Sequence, residues 1–166
     1  LNDLVKRYAA ASESRKALRA GEVAAAVKLA RASIGERTKY HAYPRIAFYE
    51  ARKAENNVGK AQQNLELALK ADWVAPIVYE QLIDLLQEKG DDAKAIALIE
   101  EAEQKSGGEL PQFLPHRIYS LVKLRKRADA VALERTCAFD YPPMEKGCKE
   151  ALRGTRPGKT EIGSSN

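Results

Sequence analysis

Glu88-Lys89-Gly90-Asp91-Asp92-Ala93-Lys94-Ala95-Ile96 is the stretch that decides the fold. Gly90 is the residue type that takes up the left-handed conformation ending a helix. The aspartate pair after it suits a helix start, where carboxylates meet the positive end of the helix dipole. One helix stops, the chain reverses, and a second begins with Ala95 on a close-packing edge. Arg19-Ala20-Gly21-Glu22-Val23-Ala24-Ala25-Ala26-Val27 has the same form. Sliding the chain against itself extends the pattern. Ala26, Ala61, Ala95 and Ala130 are spaced by 35, 34 and 35 positions, and each is followed seven positions later by a small residue, Ser33, Ala68, Ala102 and Cys137. Five positions before each alanine stand Gly21, Asn56, Gly90 and Arg125, of which the first three suit a left-handed helix end.

Working outward, apolar residues follow each alanine at helical spacing: Leu29 and Ala30, Leu65, Leu98 with Ile99, and Leu133. Upstream of each reversal lies another apolar helical stripe, as in Tyr79, Leu82, Ile83, Leu85 and Leu86, or Leu114, Ile118, Leu121 and Val122. Pro76 suits a first helical turn, as do Pro44 and Pro115. The pattern predicts helix pairs at 3–19 and 22–36, 44–55 and 58–71, 75–89 and 92–106, and 114–126 and 128–138. Residues 142–153, opening on Pro142-Pro143, predict a short helix that covers the last apolar edge. The fold expected is all-α: about four antiparallel helix pairs (units 3–38, 42–73, 75–107 and 111–139) with a cap at 142–153, forming one repeat domain over 1–153. From Gly154 onward the chain has almost nothing to bury, and 154–166 is expected to be a disordered tail.

The two reversal sequences and the period of 34–35 resemble the tetratricopeptide pattern over roughly residues 7–138. The resemblance implies a right-handed α-solenoid whose first helices line a concave groove. It is a degenerate match: the family's early bulky aromatic and Leu-Gly pair are weak or absent. Lys126-Arg127 replaces glycine in the fourth reversal, and Trp73 stands where a proline usually follows the second helix. Carried onto this chain, the groove stripes are Tyr43, Ile46, Glu50 and Lys53; Ile77, Glu80, Asp84 and Gln87; and Gln112, His116, Tyr119 and Lys123. Apolar anchors mixed with acids at the middle and bases at the end suit an extended peptide. The ordered Lys and Asn set of the carboxylate-clamp subfamily is missing, which argues against a chaperone C-terminal peptide as the ligand.

Composition narrows the function classes. The net charge of +5 is uneven: Lys+Arg against Asp+Glu is 17 to 17 over residues 1–110 and 11 to 6 over 111–166. A uniformly basic nucleic-acid binder would not look like this. Lys123-Leu124-Arg125-Lys126-Arg127 is the one concentrated basic run, without interleaved aromatics, and reads first as a solvated helix end. No apolar run of about 18 residues suggests a membrane span. The start, Leu1-Asn2-Asp3, lacks an initiator Met and a signal-peptide core, as a mature segment or an excised piece would.

Cys137 and Cys148 flank Phe139-Asp140-Tyr141-Pro142-Pro143. Either Cys137 fills the small slot held elsewhere by Ser33, Ala68 and Ala102, with Cys148 an unrelated buried thiol, or the two form a disulfide stapling the cap to the fourth unit. The even count around a proline-hinged turn favours the staple, which would contribute about 3 kcal/mol and point to a periplasmic or otherwise exported protein rather than a cytoplasmic one. His41 and His116 are far apart in the repeat pattern, with His116 expected at the surface beside Pro115, so no metal site is expected. No nucleophile–base spacing or phosphate loop suggests catalysis, and no cofactor is expected. The expected function is a non-enzymatic scaffold that binds a peptide or partner subunit in its groove. Two alternatives stand: the regulatory repeat tail of a larger bacterial envelope protein, such as a zinc metalloprotease whose tail faintly resembles Lys39-Tyr40-His41-Ala42, and nucleic-acid binding through the basic last third. Oligomeric state is not readable.

Overall fold

The computed structural model describes residues 2–71 and 74–158, and all regular structure among them is helical. Nine α-helices follow one another in this described part: α1 (Asn2–Arg19), α2 (Val23–Ser33), α3 (Ala42–Ala54), α4 (Val58–Ala68), α5 (Pro76–Glu88), α6 (Asp92–Ser106), α7 (Leu114–Lys123), α8 (Arg127–Asp140) and α9 (Glu145–Leu152). Single turns of 3-10 helix at Pro111–Phe113 and Pro142–Met144 lead into α7 and α9. Trp73 lies outside the described residues, as does most of the expected tail, 159–166. No described helix is long and apolar enough to cross a membrane.

Four reversals are built alike. Gly21, Asn56, Gly90 and Arg125 have φ of 79°, 60°, 80° and 60°. At each, the next residue's N–H reaches back five positions, Glu22 to Ala17, Asn57 to Arg52, Asp91 to Leu86 and Lys126 to Leu121, at 2.8–2.9 Å. This pairing satisfies carbonyls that a helix end would otherwise leave open. The N–H of each repeated alanine then bonds to the residue just after the reversal, Ala26 to Glu22, Ala61 to Asn57, Ala95 to Asp91 and Ala130 to Lys126. Arg125 is held in the left-handed conformation by the same bonds as its glycine counterparts. All four alanines are fully buried, and so are Ser33, Ala68, Ala102 and Cys137.

The chain divides into two compact units, Leu1–Val78 and Tyr79–Asn166, so the boundary falls inside α5 rather than between predicted repeats. In the first unit α3 rests on both α1 and α2, and α4 pairs with α3. Its core is mostly small: Ala17, Ala26, Val27, Ala30 and Ala51, flanked by Leu18, Leu29 and Phe48. Close approach is visible where Ser14 Oγ donates to the Ala26 carbonyl at 2.8 Å. Arg7 donates to the carbonyls of Ala32 and Ile34, closing the end of α2. Buried Arg45 spans the α2–α3 connection, donating to the Lys39 carbonyl and to Asn64 Oδ1.

In the second unit α9 rests on α7 and α8. Its core gathers Leu114, Ile118, Tyr119, Ala130, Cys137, Cys148 and Ala151. The Sγ atoms of Cys137 and Cys148 are 2.01 Å apart and their Cα atoms 6.6 Å apart, at disulfide distance. Cys137 also fills the small slot, but Cys148 is its partner and not an unrelated thiol. Gly154, at φ 90°, ends α9 with the same five-residue return bond, Thr155 to Glu150.

Candidate functional site

Two concave sites stand out, one in each unit. The first unit has a cleft of about 550 Å³ walled by Tyr8, Tyr40, His41 and Tyr43, with Ala68, Ala71, Ala75 and Val78 among its apolar lining. Tyr8 stacks on Tyr43 at 5.8 Å between centroids, and its hydroxyl bonds to His41 Nδ1 at 3.0 Å. Arg15 lies over the Tyr43 ring and pairs with both oxygens of Glu50 at 2.9 and 3.1 Å. Glu50 and Tyr43 thus share one guanidinium. Of the other positions expected on this stripe, Lys53 lies over the Tyr49 ring and Ile46 is buried in the core, not on a surface.

The second unit holds a cleft of about 290 Å³ between α5, the start of α7, α9 and the segment after α9. Glu80, Gln112 and His116, all expected in the groove, line it together with Met144, Glu150 and Arg156. Asp84 joins them through Arg156, whose Nη1 donates to the Asp84 carbonyl at 3.0 Å and to its Oδ1 at 2.8 Å, with Glu88 Oε2 at 3.6 Å. Residues 155–158, expected to belong to a disordered tail, therefore line this cleft, and only 12% of the Arg156 side chain is exposed. The sequence pattern missed them because a segment too polar to make a core can still be held by a largely covered arginine paired with carboxylates. The visible signals were a lone Arg-Pro-Gly after a helix stop and an acidic i, i+4 series, Glu80, Asp84 and Glu88, on α5.

Beneath the cleft runs a polar layer. Gln87 Nε2 donates to the His116 carbonyl at 2.8 Å and to Ser120 Oγ at 2.9 Å, and Ser120 donates to Asp92 Oδ1 at 2.8 Å. With its nitrogen used as donor, Gln87 presents Oε1 to His116 Nδ1 at 2.8 Å, which makes Nδ1 the protonated ring nitrogen. His116, expected at the surface, is 5% exposed. Helix α7 turns it inward over Gln87, and the chain after α9 closes over the same face. Burial, and then the nearby Arg156 charge, pull its pKa down to about 4. Gln87 and Tyr119 are likewise buried, with Lys123 over the Tyr119 ring at 5.2 Å, while Ile77 is 40% exposed.

The basic run 123–127 forms the α7–α8 reversal, with Arg125 at the left-handed position and Lys126 just before the first residue of α8. Asp91 caps α6 and Asp92 lies in its first turn, where it accepts from Ser120. Among the described residues no group of three or more His, Cys, Asp or Glu side chains is placed to hold a metal ion. The second cleft presents carboxylates, a backbone carbonyl and a neutral histidine beside apolar walls. The chain matches no protein-family model, no curated protein and no solved structure.

Proposed function

We propose that this chain is a tetratricopeptide-like interaction scaffold, its helix pairs following one another as a right-handed solenoid, and that the cleft of the second unit binds an extended peptide segment of a partner. The observation that carries this reading is the seat of Arg156. A non-helical stretch of polypeptide already forms one wall of the cleft, held by a largely covered arginine against a carboxylate and a main-chain carbonyl. Four reversals of one design, with alanines buried behind them, support the repeat architecture. The cysteine pair at disulfide distance supports residence in an oxidising compartment such as the periplasm.

The test is selection of a random displayed peptide library on the immobilised whole chain, repeated with Glu80→Lys/Asp84→Lys. Peptides enriched by the wild type should bind the charge-reversed chain at least about tenfold more weakly, the scale of a buried charged contact. Failure to enrich any peptide sensitive to these two positions would overturn the reading.

A further inference from the structure

We propose that the cleft of the second unit recognises an arginine followed by proline, and that residues 155–158 are a tethered copy of that ligand which must leave before a partner enters. The inference rests on the reading of this cleft as a peptide site and names its ligand class. Three observations lead to it.

The first is how the segment begins. Gly154 closes α9 with the turn that, at the four earlier reversals, launches a second helix. Here Pro157 and a second left-handed residue, Gly158 at φ 79°, follow within four positions, and no helix forms. The chain instead runs along the cleft as irregular backbone, with the Arg156 side chain holding it to α5.

The second is the receptor chemistry. Arg156 meets the Asp84 carbonyl and carboxylate across 72 positions of sequence, with Glu88 near and Glu80 one turn away on the same cleft wall. A backbone acceptor beside a carboxylate favours a guanidinium, which carries five donors in a fixed fork and sheds water more readily than an ammonium. Beside the arginine, Pro115 and Met144 supply apolar wall, and Pro157 lines the same cleft. A proline suits such a wall because its ring is already restrained and loses little freedom on docking.

The third is the histidine. His116 lies on the cleft lining, buried with its Nδ1 on Gln87 Oε1, and burial keeps it neutral, so no second cation competes with the incoming arginine. A tethered ligand lowers the apparent affinity for a free one by the fraction of time the cleft is open.

The experiment is fluorescence anisotropy with a labelled synthetic peptide, Gly-Thr-Arg-Pro-Gly-Lys, titrated with the whole chain. Arg156→Gln should bind it about tenfold or more tighter than the wild type, because its own arginine no longer competes. In that background, Asp84→Asn/Glu88→Gln should weaken binding at least about tenfold, as should arginine replaced by glutamine in the peptide, with lysine falling between. Equal affinity of the wild type and Arg156→Gln, or indifference to the peptide's arginine, overturns the proposal. The peptide-side changes use one folded protein, so they decide the matter even where a receptor variant fails to fold. Library peptides that depend on Glu80 and Asp84 but lack arginine would sink this inference and leave the scaffold reading standing. If neither they nor the synthetic peptide bind, both fall.

Discussion

The two units solve the same packing problem with different materials. The first closes its hairpins over alanines and ties the connections with side chains that reach main-chain carbonyls: Ser14 to Ala26, Arg7 to Ala32 and Ile34, Arg45 to Lys39. The second packs larger aliphatic and aromatic groups, a cysteine pair, and a buried polar layer joining α5, α6 and α7 through Gln87, His116, Ser120 and Asp92. Small residues let helices approach closely but bury little area each, so the first unit depends on directional bonds at its close contacts. The second gains more from area and can carry a polar layer under a concave surface. That is a reason for the cleft with a polar layer beneath it to lie in the second unit.

The largest expected break in this contrast comes from the cysteines. Replacing Cys137 and Cys148 together by alanine should cost about 3 kcal/mol, because the loop they close is freed in the unfolded chain. Hydrogen exchange should rise in α8 and α9 while α1 and α2 stay as protected as before. Equal loss of protection in the first unit would erase the distinction between the units. Thiol counting in denaturant without reductant checks the premise, with no free thiol expected in material from an oxidising compartment.

A smaller effect, confined to the second unit, is acid sensitivity at His116. Its folded pKa of about 4 lies below the ordinary histidine value near 6.5, so the unfolded chain binds the extra proton first as pH falls. The sign follows: the stability of the neutral, buried form is complete above about pH 6.5 and is lost as pH drops toward about 4, amounting to about 2 kcal/mol by pH 5. The charged groups around the ring are Arg156 from the segment after α9, Glu80 on α5 and Glu150 on α9. Urea denaturation at pH 7 and pH 5 should show the drop in the wild type and a much smaller one in His116→Gln. An unchanged drop would assign it to the surrounding carboxylates.

Much of this architecture is written in the sequence, because a backbone that must turn left-handed every 34–35 residues leaves a periodic trace. Gly21, Asn56 and Gly90 mark three of the turns by residue type, and Arg125, an unfavourable type, is placed by register alone. The site was only half legible. Glu80, Asp84, Gln112 and His116 fall on the right face by helical spacing, and the cleft brings them together. Whether a position on that face is open or covered depends on what packs above it, which no period reports. Ile46, Gln87, His116 and Tyr119 are covered. Arg156 left only a weak trace for the converse reason: its partner is 72 residues away, and its neighbours carry no hydrophobic pattern.

The register itself is sharpened by a pair of substitutions in each unit. Ala95→Leu in the second unit and Ala26→Leu in the first should each overpack a fully buried site, at a cost of about 1–2 kcal/mol. Lys94→Leu and Lys28→Leu, on exposed neighbouring positions, should change stability by less than about 0.5 kcal/mol. The first unit should suffer more. Ser14 Oγ lies on the Ala26 carbonyl at 2.8 Å, so a larger residue there must also stretch a buried hydrogen bond that Ser14→Ala alone would remove at about 1 kcal/mol. A double-mutant cycle of Ala26→Leu with Ser14→Ala then reads the coupling directly. If the two costs add, the bond survives the leucine, and the overpacking is absorbed without parting α1 from α2 at Ser14. If the serine deletion becomes nearly free in the leucine background, the leucine has already parted α1 from α2 and broken the bond, and the alanine is small because that bond requires it.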